Sequence, residues 1–323
     1  MIHDSDHDSV FDIVIVGGGP AGLSAALLLA RARKRVLCCD AGPRRNARAT
    51  QIHGYVTRDG TPPDEFRRIA HAQLRPYPDA EVCELAVEAI VGERDHFTIT
   101  LAEGRVVEAR RVLLCTGMID VLPELPGVRE LWGESIFQCP YCHGWEVRDR
   151  PLAYLAPNVA MLDWSRFLLG WSADVVVLTD GRFEVPDELR EPIERAGVRI
   201  DERHIRALIR DEQVQIEAIQ LEAIEFEDGD RLARGALFMH PPQRQTPLVE
   251  TLGLELDELG FLRVDEQRQT SRPGIHAAGD LITPMQGAQL AAAAGILAGH
   301  AINHELTLAM RRASARTRGE TSG

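Results

Sequence analysis

The fold of this chain is decided by the stretch Asp12-Ile13-Val14-Ile15-Val16-Gly17-Gly18-Gly19-Pro20-Ala21-Gly22. Its first half is a short β-branched run, which is typical of a buried parallel strand. The glycines at 17, 19 and 22 follow the pattern G-x-G-x-x-G, which permits a tight turn, a close approach of the backbone to a pyrophosphate and close helix–strand contact. An Ala/Leu-rich helix follows at residues 23–30, and the helix dipole and backbone amides would hold the phosphates. The stretch therefore predicts a dinucleotide site whose loop includes Pro20 and Ala21.

Three later strand ends extend the predicted cofactor site. The strand Arg35–Cys39 ends at Asp40, eighteen residues after Gly22, where a carboxylate can accept hydrogen bonds from an adenosine ribose. A strand at 111–115 ends in Thr116-Gly117, and a strand at 274–278 runs into Gly279-Asp280 before a helix of small residues. We expect Asp280 to bond a ribityl or phosphate-linked hydroxyl and Gln286 to face the cofactor's ring system.

The middle of the chain carries the run Cys139-Pro140-Tyr141-Cys142-His143-Gly144-Trp145-Glu146. Two cysteines at this spacing can close a disulfide, and a thiolate there can attack a substrate disulfide while its partner resolves the mixed disulfide. Cys-x-x-Cys is also half a zinc site, but no second Cys-x-x-Cys exists, and His143 cannot easily join Cys142 in one tetrahedron. The pair is therefore interpreted as redox-active, with no metal.

Taken in order, the glycine fingerprint, the Thr-Gly strand, the central Cys-x-x-Cys and residues 270–280 resemble the low-molecular-weight thioredoxin reductase family. The resemblance implies an α/β fold of two Rossmann-like, three-layer ββα dinucleotide-binding domains, the second inserted in the first. It implies a discontinuous FAD-binding domain at 1–119 and 244–323. The insert at 120–243 would be an NAD(P)H-binding-like domain that carries the Cys-x-x-Cys. A homodimer is implied as well, with a small dithiol or disulfide or a thioredoxin-like protein as partner.

The residue after the second cysteine places the chain nearer one branch. It is an acid in ordinary thioredoxin reductases and His143 here, and the run resembles a branch related to gliotoxin- and holomycin-type dithiol oxidases. An imidazole exchanges protons near neutral pH, and its charged form stabilises a neighbouring thiolate, although a purely structural His143 is the alternative. The predicted catalytic residues are therefore Cys139, Cys142 and His143. By family analogy Cys142 faces the flavin and Cys139 exchanges with substrate, while the residues alone leave this order open.

A second stretch, residues 53–60, supports the same branch. Its His53 is either a substrate-pocket group or a residue that packs the flavin loop. Asn46, which shortly precedes it, is assigned to the cofactor site.

The inserted domain departs from the family pattern at its phosphate loop. After the strand at 151–155 the chain continues Ala156-Pro157-Asn158-Val159-Ala160, with no glycine until Gly170. Side chains at these positions would keep a pyrophosphate from the backbone, and Asp180 would repel a 2′-phosphate. The domain has either lost its nucleotide or binds NAD(P)H through an unfamiliar loop.

The missing loop favours the oxidase direction, in which a small dithiol is closed to a disulfide and oxygen accepts the electrons. One alternative is a reductase of thioredoxin fed by NADPH, ferredoxin or another donor. A flavoprotein that senses redox state or binds a partner without turnover is the third.

Composition limits the partners and the compartment. A formal charge of −13 argues against a nucleic acid or an anionic membrane, and no apolar run reaches the ~20 residues that span a bilayer. The polar, acidic residues 1–8 are unlike a secretory n-region, so a cytoplasmic location is expected. Outside the redox pair, the remaining cysteines are expected to be buried thiols: Cys38, Cys39, Cys83 and Cys115.

Overall fold

The computed structural model describes residues 10–42, 44–211 and 220–319, so the acidic segment 1–8 lies outside the described residues. The described chain divides into two compact units. Unit 1 comprises the described parts of 1–45, 62–119 and 244–323, and unit 2 comprises those of 46–61 and 120–243. Residues 46–61 thus group with unit 2, whereas the sequence-based boundaries place them in the first domain.

Strands and helices alternate along most of the chain. The strands are β1 (Val10–Val16), β2 (Val36–Cys39), β3 (Ala80–Cys83), β4 (Val87–Glu93), β5 (His96–Leu101), β6 (Val106–Leu114), β7 (Ile119–Asp120), β8 (Ile136–Phe137), β9 (Leu152–Leu155), β10 (Val175–Leu178), β11 (Arg199–Asp201), β12 (Ile205–Arg210), β13 (Leu221–Phe226), β14 (Arg231–Ala233), β15 (Ala236–Met239), β16 (Gln243–Arg244) and β17 (Ile275–Ala277). The α-helices are α1 (Pro20–Arg31), α2 (Pro63–Leu74), α3 (Val128–Leu131), α4 (Pro140–His143), α5 (Asp187–Arg195), α6 (Pro247–Thr251) and α7 (Ala288–Gly319). Short 3₁₀ helices occur at Ala102–Gly104 and Asp280–Ile282, and a longer one at Val159–Gly170.

The main sheet of unit 1 has a parallel part and an antiparallel ribbon. Strands β3, β2, β1 and β6 are parallel neighbours in that order, and β17 pairs in parallel with the C-terminal half of β6. The N-terminal half of β6 continues into the antiparallel pair β5 and β4. The carboxyl ends of the parallel strands therefore share one edge, the edge at which doubly wound folds bind nucleotides.

Both faces of this sheet are covered, because alternate residues of its strands belong to different cores. Ile13 and Ile15 pack with the small residues of α1 and α7, whereas Val14 and Val16 join the core on the opposite face. Helices α1 and α7 approach so closely that a Cβ atom on Gly295 would lie 2.0 Å from the carbonyl oxygen of Ala21. Only glycine fits at this helix crossing.

Unit 2 is built on a parallel sheet of order β11-β10-β9-β15-β8, with a separate antiparallel sheet of β12, β13 and β14. The connection from β9 to β10 contains the 3₁₀ helix Val159–Gly170, whereas a dinucleotide-binding fold has a glycine turn and an α-helix. The side chain of Asn158 accepts a hydrogen bond from the Met161 amide at 3.2 Å and starts this tighter turn. None of the helices described is both long and apolar enough to cross a membrane.

Candidate active site

The two motif cysteines are brought together by a single short turn. Cys139 has an extended backbone and immediately precedes α4, and Pro140 at the first helical position favours the helical φ. The amides of Cys142 and His143 both donate to the Cys139 carbonyl, at 3.2 and 3.3 Å. The cysteines form a disulfide with a Cα–Cα distance of 5.3 Å, within the range that disulfides span. The motif thus carries a disulfide whose two cysteines are both partly exposed.

His143 lies directly against the disulfide turn with its ring stacked on Phe137. The ring centroids are 4.4 Å apart and the planes differ by 8°. Its Nδ1 atom is buried and has no hydrogen-bond partner among the described residues. Burial lowers the pKa of His143 to about 4, although the charge of Glu146 acts in the opposite direction. In this disulfide state the ring is therefore neutral at neutral pH, and the role of an imidazolium beside a thiolate stays a prediction for the reduced pair.

His53 joins the same unit through two carboxylates. Its Nε2 lies 3.5 Å from Glu146 Oε1, and its Nδ1 lies 3.6 Å from Asp59 Oδ1. The guanidinium of Arg48 donates to the carbonyls of Arg129 and Glu130 at the end of α3, at 2.7 and 2.9 Å, and fastens the segment 46–61 within unit 2.

Sequence reasoning missed Glu146 and Asp59 as partners of His53. The available signal was the place of Glu146 in the Cys-x-x-Cys run and of Asp59 in the 53–60 stretch. Whether His53 meets substrate or packs the loop stays a prediction.

An aromatic cluster covers the carboxyl ends of β9 and β15. The Trp164 ring lies 4.6 Å from the ring of Tyr154 on β9 and 4.5 Å from that of His240, which follows β15. The Tyr154 hydroxyl and His240 Nδ1 are 3.2 Å apart. Phe167 continues the aromatic packing toward Tyr141 of the Cys-x-x-Cys turn, at 5.6 Å. A Rossmann-like sheet binds its nucleotide at the carboxyl ends of its strands. In unit 2, aromatic side chains pack at this position.

The glycine loop of unit 1 fits a pyrophosphate. Gly17 has φ +109°, and a Cβ atom there would lie 2.3 Å from the Cys115 carbonyl oxygen. A Cβ atom on Gly22 would lie 1.9 Å from the Gly17 carbonyl oxygen, whereas one on Gly19 would face open space. The loop is therefore tightly packed against the protein at Gly17 and Gly22 and open at Gly19, as the approach of phosphate oxygens to its amides requires.

The other predicted cofactor residues lie at the neighbouring strand ends of unit 1, with one exception. Pro20 and Ala21 open α1, and Gly117 and Gly279 have φ values of +67° and +97°. The Oγ1 atom of Thr116 is buried without a hydrogen-bond partner among the described residues. The exception is Asn46, which is exposed and groups with unit 2.

Two arginines engage the acidic groups of this site. Asp40 is paired with Arg67. The Arg45 guanidinium donates to Asp280 Oδ2 at 3.1 Å and to the side chain of Gln286. An unpaired buried hydroxyl, an open glycine cradle and carboxylates at strand ends together fit FAD.

Known proteins similar to this chain support the same identification. A family model described as pyridine nucleotide-disulphide oxidoreductase matches residues 11–295. Thioredoxin reductase tcpT of Claviceps purpurea is 32% identical over 310 residues, which cover 92% of this chain and 95% of the relative.

Solved structures agree with the family match. The crystal structure of HlmI is 33% identical, with a TM-score of 0.88, and the match covers 100% of this chain and 99% of that one. An oxidoreductase from Agrobacterium tumefaciens is 34% identical with a TM-score of 0.84, covering 92% and 99% of the two chains. These matches confirm the predicted α/β fold and the resemblance to thioredoxin reductase-like proteins, including the gliotoxin/holomycin-type branch. The chain therefore belongs to the pyridine nucleotide-disulphide oxidoreductase family and is an FAD-dependent thiol–disulfide oxidoreductase of the thioredoxin reductase-like type.

Proposed function

We propose that this protein oxidises a small dithiol to a disulfide and that oxygen is the final electron acceptor. The observation that carries the proposal is the aromatic cluster of Tyr154, Trp164 and His240 at the carboxyl ends of β9 and β15. A dinucleotide would need this edge of the unit 2 sheet for its pyrophosphate. With side chains there and no glycine loop before them, NAD(P)H has no place at this edge, and the electrons come from the substrate.

The Cys139–Cys142 disulfide performs the first half of the reaction. A substrate thiolate attacks Sγ of Cys139, the bond to Cys142 breaks, and Cys142 leaves as a thiolate. The second substrate thiol then attacks the substrate sulphur of the mixed disulfide, which closes the product and releases Cys139. Two electrons have moved from the substrate sulphurs to the protein dithiol, and each substrate thiol has given up one proton.

His143 is the acceptor for one of these protons. In the disulfide state burial lowers the pKa of His143 to about 4, so the ring is unprotonated at neutral pH, and a Cys142 thiolate formed beside it would raise that pKa and favour uptake of a proton. The charge of Glu146 acts on the pKa of His143 in the direction that favours the protonated ring, so an acidic group is near the imidazole that becomes charged. This arrangement suits the withdrawal of protons from a dithiol.

FAD, when bound, would supply the two-electron redox chemistry that links the protein dithiol to oxygen. The residues that would hold it are those of the glycine loop 17–22, Asp40, Thr116-Gly117 and Asp280 with Gln286. Their task is to bind and orient the cofactor.

The setting of the reaction is also a proposal. We place it in the cytoplasm, because Cys38, Cys39, Cys83 and Cys115 are all free thiols, as a reducing compartment favours. A homodimer follows from the family resemblance, and sedimentation of the purified holoprotein tests it.

Aerobic turnover tests the direction of electron flow. Purified holoprotein mixed with dithiothreitol in air should consume oxygen and generate peroxide without NAD(P)H. Cys139→Ser and Cys142→Ser should abolish this turnover, whereas Cys115→Ser, a buried free thiol, should leave it intact. No peroxide from the wild type, together with rapid bleaching of the flavin by NADPH, contradicts the proposal. Turnover that survives loss of both motif cysteines would point to a flavoprotein that only senses or binds.

A second candidate is a reductase that delivers electrons to a protein disulfide such as that of thioredoxin. The exposed rings of Tyr141 and Trp145, 72% and 66% accessible, flank the disulfide and offer an apolar surface to a protein partner. Anaerobic titration with NADPH and with reduced ferredoxin, followed at the flavin absorbance, separates the two. Stoichiometric bleaching by either donor favours the reductase.

A further inference from the structure

Two cysteines outside the known redox motif lie side by side in unit 1. Cys39 ends β2, Cys83 ends β3, and the parallel register pairs the two residues. Their Sγ atoms are 3.6 Å apart. Paired residues on neighbouring strands point to the same face, and strands lie about 4.8 Å apart, within the Cα–Cα range that a disulfide spans. The two sulphurs can therefore be joined by a small movement of the ends of β2 and β3.

The two thiols have different surroundings. Cys39 is 3% exposed, but Cys83 is only partly buried because β3 is the edge strand of the sheet. This corrects the expectation that all the remaining cysteines are buried. The hydrogen bond between the two thiols lowers the pKa of Cys83, with smaller help from the Leu85 backbone and the charge of Arg105, while partial burial acts in the opposite direction. The same pairing, with burial, raises the pKa of Cys39, so Cys83 is the nucleophile of the pair.

The pair is joined directly to the loop that would bind the cofactor. The Gly17 amide donates to the Cys39 carbonyl at 2.8 Å, and the Asp40 amide donates to the Cys83 carbonyl at 2.8 Å. A Cβ atom on Gly18 would lie 2.3 Å from Asp40 Cγ, so the acid lies tightly against the glycine loop. A displacement of the ends of β2 and β3 would therefore also move the glycine loop and Asp40.

We propose that Cys39 and Cys83 form a second dithiol, which hydrogen peroxide closes to a disulfide, and that this closure weakens FAD binding. Closure moves the sulphurs from 3.6 Å to about 2.05 Å and shifts the strand ends that carry the glycine loop and Asp40. The proposal needs only FAD in unit 1 and holds for either direction of catalysis.

The chemistry balances with peroxide as the oxidant. The Cys83 thiolate attacks one peroxide oxygen, the O–O bond breaks, hydroxide leaves, and Cys83 becomes a sulfenic acid. Cys39 then displaces hydroxide from that sulphur and forms the S–S bond. The sulphurs lose two electrons to the peroxide, and the two thiol protons complete two water molecules.

The first experiment maps the bond in holoprotein that carries Cys139→Ser and Cys142→Ser, which removes the other dithiol. The protein is treated with hydrogen peroxide, free thiols are blocked, and tryptic peptides are analysed by mass spectrometry. Residues 36–44 carry Cys38 and Cys39, and residues 69–94 carry Cys83. We expect a disulfide between these peptides. Absence of this cross-link after complete peroxide treatment overturns the proposal.

A matched control distinguishes the two adjacent cysteines. Cys38 is buried next to Cys39 but packs in the core on the opposite face of the sheet. Cys38→Ser should keep the cross-link, whereas Cys39→Ser and Cys83→Ser should each lose it. Cys83 sits on an edge strand, so Cys83→Ser tests the pair even if Cys39→Ser fails to fold. A cross-link that persists in Cys83→Ser contradicts the assignment.

The second readout is the affinity for FAD, measured by fluorescence titration of the same protein before and after peroxide. We expect the dissociation constant to rise about tenfold, as the loss of one well-placed hydrogen bond would cause, and to recover after reduction by a phosphine. The affinity of Cys83→Ser should not respond to peroxide. A cross-linked protein whose affinity for FAD stays within about twofold refutes the coupling to the cofactor site.

Discussion

Replacing His143 by Phe is expected to slow thiol exchange and, at the same time, to stabilise the fold. The phenyl ring keeps the stack on Phe137, whose centroid is 4.4 Å away, but it has no nitrogen to accept a proton. A positioned general base contributes about 10²–10⁴-fold, so reduction of the Cys139–Cys142 disulfide by a dithiol should slow at least about 100-fold at pH 7.

The gain in stability follows from the buried nitrogen. The Nδ1 atom of His143 has no hydrogen-bond partner among the described residues, and an unpaired buried polar group costs about 1–3 kcal/mol. Because the residue is only partly buried, we expect the lower end, a gain of about 1 kcal/mol in the free energy of unfolding.

Anaerobic stopped-flow mixing of oxidised holoprotein with dithiothreitol measures the rate, and urea unfolding measures the stability. Tyr141→Phe, on the same helix and with an exposed ring, is the matched control and should change neither. A His143→Phe rate within about threefold of wild type would show that His143 is not the proton acceptor. A loss of stability would show that its ring makes a favourable polar contact.

The remaining predictions concern the cofactor loop, pH and the aromatic cluster. Gly19→Ala should fold with unchanged apoprotein stability, because its Cβ would meet no protein atom, but the purified protein should contain less FAD, because that Cβ would occupy the space open to the pyrophosphate. Gly17→Ala should also unfold more easily, since its Cβ would lie 2.3 Å from a carbonyl oxygen. Burial lowers the pKa of both His143 and His276 to about 4, so the unfolded chain binds more protons between that value and the ordinary 6.5. The unfolding free energy should therefore rise with pH across this window, less steeply in His143→Phe, and a flat urea-unfolding profile from pH 4.5 to 7 contradicts the assignment. Trp164→Ala should cost about 2 kcal/mol in urea unfolding, less than for a fully buried ring, since Trp164 packs on Tyr154 but is partly exposed, and a loss below about 1 kcal/mol would show that the cluster packs loosely.

The parts of the site that the sequence predicts are those encoded by local conformation. The positive φ of Gly17 and the start of α1 at Pro20 are properties of a few consecutive residues, so a motif reveals them. The Cys139–Cys142 disulfide is equally local, because one turn of α4 sets its spacing. The missing phosphate loop after β9 could also be recognised from residues 156–160 alone.

The parts that could not be predicted depend on contacts between distant residues. Burial, which includes the stack on Phe137, lowers the pKa of His143, and no local pattern records that burial. The contact of His53 with Glu146 joins positions 93 residues apart in the chain, 146 minus 53. The half-buried state of Cys83 follows from the place of β3 at the sheet edge, which is a property of strand order. Tertiary context, and not propensity, sets each of these features.

The grouping of residues 46–61 with unit 2 governs how this molecule can be recombined with its relatives. The chain passes between the units at four peptide bonds, 45–46, 61–62, 119–120 and 243–244. A transplant of residues 120–243 alone would leave behind His53 and the Arg48 guanidinium that binds the carbonyls at the end of α3. We therefore expect a stable chimera only when residues 46–61 and 120–243 are exchanged together, although they are separate stretches of the sequence.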